Sequence, residues 1–165
     1  MSRSGYSDDM EDMWAHIRWR GAVNSAISGK RGQQALRETL AALDAMPVKE
    51  LVAGDLVDED GRHCTLGVLA AARGMDVSGL DPEEPEAVAA AFGLAPALVR
   101  EVVYENDEFI NDWNYVQADV CGPIREHSPH WERRFVSVYV PDTKARQRRW
   151  AHMRNWVASQ IKEKP

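Results

Sequence analysis

Leu36, Leu40 and Leu43 recur at three- and four-residue intervals, the spacing that lines up one face of an α-helix, and predict a helix over about 33–46 that Pro47 stops. The same period in Met10, Trp14, Ile17 and Gly21 predicts an earlier helix over 8–28, whose acidic start suits the positive end of the helix dipole. Gly29-Lys30-Arg31-Gly32 reads as the turn between them. From Leu51 the period shortens: Leu51-Val52-Ala53 and Leu56-Val57, an Asp60-Gly61 turn and Arg62-His63-Cys64 predict a β-hairpin over about 51–64. A short Ala-rich helix follows over 65–73, with Gly74 as a left-handed cap. Pro82 and Pro85 introduce another helix that ends at Phe92 and Gly93, and Pro96 starts one that reaches about Asn106.

Residues 109–129 mix Asn, Asp, Trp, Gly and Pro without a clear period and predict a long loop or partial helix. Residues 134–140 carry the clearest strand pattern in the chain, ended by Pro141. Thr143 stands where it can cap a basic terminal helix over 144–162. The pattern as a whole predicts a mainly helical α+β fold, with about six helices, a small hairpin and one further strand able to join it.

Length changes this picture little: 165 residues suffice for one domain, 1–165, with 109–142 as a loop-rich insertion. The polar start lacks the basic and apolar parts of a secretory signal, and no run approaches the ~18 apolar residues of a membrane span. Two cysteines are too few for a disulfide scaffold, so the expectation is a cytoplasmic protein without a membrane partner.

Charge changes it more. Residues 1–49 hold 7 Lys+Arg against 6 Asp+Glu, residues 50–119 hold 3 against 16, and residues 120–165 hold 10 against 4, so the net charge of -6 conceals an acidic centre between basic ends. Such segregation can steer a charged partner. Glu83, Glu84, Glu86, Glu101, Glu105, Asp107 and Glu108 are the candidate acidic patch, a surface able to compete for the basic groove of a nucleic-acid enzyme. Lys30, Arg31, Lys144, Arg146, Arg148 and Arg149 are the candidate basic patch, able to hold phosphates if the two ends of the chain meet.

The blocks Trp19-Arg20-Gly21-Ala22-Val23-Asn24-Ser25-Ala26-Ile27, Gly29-Lys30-Arg31-Gly32-Gln33, Ala42-Leu43-Asp44-Ala45-Met46-Pro47, Cys64-Thr65-Leu66-Gly67 and Ala72-Arg73-Gly74-Met75-Asp76 resemble a family of small uncharacterised proteins of bacteriophages and prophages. The resemblance reaches Tyr104-Glu105-Asn106-Asp107 and resumes at Arg149-Trp150-Ala151-His152-Met153-Arg154, with 109–142 as an insertion. It implies a mobile-element origin and no established activity, so no catalytic residue carries over.

Three chemistries were weighed on the residues. Glu86 to Val103 fits a helix-turn-helix with its turn at Gly93, but the second helix offers Arg100 against Glu101, Glu105, Asp107 and Glu108, which would repel phosphates. Cys64, beside His63 at a helix start, has the setting of an activated thiol, although adjacent strand residues face opposite ways. Cys121, His127 and His130 could ligate a metal, at a spacing that matches no standard zinc pattern. We therefore assign no catalytic residue, metal or cofactor from sequence. The expected function is a non-enzymatic phage or prophage accessory protein that binds a host or defence macromolecule, a protein before a nucleic acid. The alternatives are a DNA-binding regulator and a cysteine- or metal-dependent hydrolase.

Overall fold

The computed structural model describes residues 13–119 and 135–163. In chain order it comprises helices α1 (Met13–Ser28), α2 (Lys30–Ala45), α3 (Thr65–Arg73), α4 (Pro85–Phe92) and α5 (Pro96–Asp107), strands β1 (Trp113–Asp119) and β2 (Phe135–Pro141), and helix α6 (Ala145–Gln160). The fold is mainly helical α+β, as the sequence pattern predicts.

Proline at the first turn and glycine after the last explains the short helices. α4 and α5 both begin on proline, whose missing N–H costs nothing there, and α3 and α4 end on Gly74 and Gly93 in the left-handed region, at φ 65° and 66°. The α4–α5 pair bends by 111° across the Gly93 turn. Gly29 turns out to be the N-cap of α2, so Lys30 and Arg31 lie in the first helical turn rather than in a loop.

α5 is the central helix. Leu98, Val99, Val102 and Val103 are buried on it, and it packs against α1, α3, α4 and α6. α2 lies antiparallel to α6: Gln33 at its start donates to the Gln160 carbonyl at 2.8 Å, while Asp44 at its end pairs with Arg154 at 2.6 Å. Trp19, Trp150 and Trp156 pack against this core as partly buried side chains, whereas Trp14 and Trp113 are exposed. Trp131 lies outside the described residues.

Three expectations are corrected. The 51–64 segment forms a single bridge, Val57 to His63, and not a hairpin of two strands. The Asp58-Gly61 turn closes as read, but the chain turns at Gly54 with φ 88°, which leaves no extended run before Leu56. The strand at β2 does not join that segment; it pairs antiparallel with β1, inside the stretch read as loop or partial helix. Thr143 does not cap α6, because the Asp142 carboxylate accepts the Lys144 N–H at 2.9 Å instead.

Candidate functional site

β1 and β2 pair over seven residues each, from Trp113 opposite Pro141 to Asp119 opposite Phe135. Side chains alternate across a strand, so this register sorts the sheet into two faces. Trp113, Tyr115, Gln117, Ser137, Tyr139 and Pro141 share one, and Asn114, Val116, Ala118, Val136, Val138 and Val140 share the other. One face is aromatic and the other aliphatic.

Among the described residues, nothing covers either face. Tyr115 and Tyr139, edge to face at 4.9 Å, are 62 % and 67 % exposed, and Val116, Val136, Val138 and Val140 are all more than 40 % exposed. Among the described residues, no helix makes more than sparse contact with either strand. The hairpin projects from the helical body.

Its base, by contrast, is strapped down. Arg149, wholly buried on α6, donates from Nε to the Asn106 carbonyl at 2.8 Å and from Nη1 to the Leu51 carbonyl at 3.2 Å. Its Nη2 reaches the Ile110 carbonyl at 3.0 Å and the Asp112 carboxylate at 2.9 Å. Asp112 then accepts the Asp142 N–H on its own carbonyl at 2.8 Å, which closes the foot of the hairpin. Beside it Phe109 stacks on His152 at 4.0 Å, and His152 Nε2 lies 2.7 Å from Glu105 Oε2. The foot of the hairpin is thus tied to the helical body by a buried arginine.

The candidate patches do not assemble as read. Glu83, Glu84 and Glu86 are exposed around the start of α4, with Glu86 bonded to Arg100 at 2.5 Å. Glu101 is only 4 % exposed and pairs with Arg20 at 3.0 Å between α1 and α5. Glu105 pairs with His152, Asp107 accepts the Asn106 amide at 2.7 Å, and Glu108 is exposed at that end. The acidic residues therefore divide between surface and internal pairing.

The basic residues divide too. The chain ends do meet, but antiparallel packing puts Lys30 and Arg31 beside the end of α6, and Lys144, Arg146 and Arg148 at its start. A 16-residue helix is ~24 Å long, so the two groups stand that far apart. Arg149 is not a surface residue at all, and Arg148 is engaged by Asp142.

The remaining chemistries fare as follows. Cys64 is 1 % exposed within the core, immediately before α3. The α4–α5 bend suits a helix-turn-helix, yet the second helix buries Leu98, Val99, Glu101, Val102, Val103 and Asn106, and the rest of its surface offers Arg100 alone as a cation. Cys121, His127 and His130 lie outside the described residues, and no group of three metal-ligating side chains occurs among the described ones.

Sequence reasoning missed the hairpin faces. The available signal was aromatic and β-branched enrichment at Trp113-Asn114-Tyr115-Val116, which favours strand. No family model, curated protein or solved structure matches this chain.

Proposed function

We propose that the protein is a binding module without chemistry of its own, which docks a host or defence protein through the β1–β2 hairpin. The observation that carries this reading is a two-stranded sheet with large apolar side chains exposed on both faces. Such a sheet is marginal in water by itself and gains stability from a further strand or layer. Contiguous exposed apolar surface marks interaction sites, and Trp and Tyr dominate the energetics of such contacts. The buried anchoring by Arg149 supports the same reading, because a pre-positioned hairpin loses less entropy on binding. The resemblance to phage proteins supports a host-directed or defence-directed partner.

The test is capture from host lysate by the tagged full chain, with and without nuclease, against a Tyr115→Ser/Tyr139→Ser double variant. Both tyrosines are exposed, so the variant should keep its helical circular dichroism and melting temperature. The expected result is a stoichiometric protein that survives nuclease with the wild type and is lost from the variant. Capture that nuclease abolishes would move the DNA-binding reading ahead, and equal capture by the variant would remove the hairpin as the site.

A further inference from the structure

A second surface lies away from the hairpin, where the 55–57 segment, α3 and the 75–82 loop enclose a cleft of about 390 Å³. This is within the ~300–1,000 Å³ range of ligand pockets. Small residues make the room: Gly67, Ala70 and Ala71 form the α3 wall at helical spacing, and Leu56, Val57, Val77 and Leu80 face them. Gly67 is required for that wall, because a Cβ there would be driven into the Leu56 carbonyl oxygen. The larger part of the lining is apolar. His63 also lines the cleft, with its Nδ1 shut off from solvent and without a hydrogen-bond partner among the described residues.

The rim is charged with one sign. Asp55 stands on one wall and Asp76 on the other, both exposed, and no Lys or Arg lines the cleft among the described residues. The cations closest in sequence are already engaged: Arg62 pairs with Asp58 and Asp60, and Arg73 with Glu38 and the Phe92 carbonyl. The Ser78 backbone N–H, 2.9 Å from the Asp76 carboxylate, holds that group below the usual carboxylate range, so it is ionised at neutral pH. Glu59, Asp81, Glu83 and Glu84 follow on the same two segments and extend the negative field.

We infer that this cleft takes a basic polypeptide segment, one aliphatic side chain seated between Val57, Ala71 and Leu80 with Lys or Arg on either side of it. An aliphatic anchor fits the lining, and flanking cations match acids that stand on both walls rather than on one. The fit is by charge complementarity, which sets which segments are admitted and how fast they arrive. It does not rest on the hairpin reading, and the molecule then carries two separate docking surfaces.

The experiment is selection of a random dodecapeptide display library on the immobilised full chain. The enriched peptides are then measured by fluorescence anisotropy against wild type, Ala71→Trp, Asp55→Lys and the Tyr115→Ser/Tyr139→Ser double variant. Ala71 and Asp55 are exposed, so neither change disturbs the core, and melting temperature checks this. The expected consensus is an aliphatic residue flanked by Lys or Arg, weakened about tenfold or more by Ala71→Trp, with a shallower salt dependence in Asp55→Lys and no change in the hairpin variant. No consensus, a neutral or acidic consensus, equal binding by Ala71→Trp, or loss in the hairpin variant would each overturn the proposal.

Discussion

A buried arginine usually balances a buried carboxylate, and here Arg149 mostly does not. Three of its four bonds go to main-chain carbonyls on three segments, and its one carboxylate, Asp112, is 47 % exposed on the side chain. The guanidinium fork is suited to this task, because its donors are fixed in one plane and can serve several acceptors at once. Asn106 performs a matching role one layer in. Its Oδ1 accepts from the Thr65 N–H and hydroxyl, and its Nδ2 donates to the Val52 carbonyl at 2.9 Å. Replacing Arg149 with Met would keep the packed stem but strand three carbonyls, so about 3 kcal/mol or more of stability should be lost. Arg154→Ala removes an exposed pair with Asp44 and should cost below about 1 kcal/mol. Urea unfolding of both variants checks this, and equal losses would contradict the role given to Arg149.

At the scale of elements, the ion pair that clips α2 to α3 predicts a pH response. Glu38 accepts from Gln34 Nε2 at 2.8 Å and from Arg73 Nε at 2.8 Å, and these bonds hold its carboxyl below the ordinary value of 4.5. A carboxylate whose pKa is depressed on folding binds its proton more readily in the unfolded chain. The stability it contributes is therefore complete above pH 4.5 and lost as pH falls through the lower folded value. Glu38→Gln should flatten the decline of the urea midpoint between neutral and acidic pH. An unchanged slope would show that the clip contributes nothing. The starts of α4 and α5 and the ends of α3 and α4 were readable in sequence for the same local reasons that hold them, proline at the first turn and glycine after the last. β1 was harder to read than β2, although both are exposed on both faces: Asn114 and Gln117 interrupt its aromatic and β-branched residues, whereas Val136, Val138, Tyr139 and Val140 run almost unbroken. The reading of 51–64 as a hairpin failed because Gly54 redirects the chain, so only the turn and the single Val57–His63 bridge formed. Charge along the chain was likewise visible, but the antiparallel seating of α6 on α2 was not, and it alone decides that Lys30 and Arg146 lie far apart.

Across the whole molecule, stability must be spread unevenly. The α3–α5 centre holds Leu66, Leu69, Leu98 and Val99 out of solvent, while the hairpin has no covering layer among the described residues and is held at its foot. Amide exchange opens the parts with few buried contacts first, with free energies that run from near zero to the full stability of the fold. Native-state hydrogen exchange should therefore find the α5 amides slowest and the inward-pointing β1–β2 amides orders of magnitude faster, despite the seven-residue register. Adding the captured partner should slow the hairpin amides and leave α5 unchanged, since burial on both faces supplies the layer that two strands lack. If the hairpin of the isolated protein already exchanges as slowly as α5, its faces are covered before any partner arrives. The exposed Tyr115, Tyr139 and valines would then belong to a contact the molecule makes with itself or a second copy, and the docking role would pass to the acid-rimmed cleft.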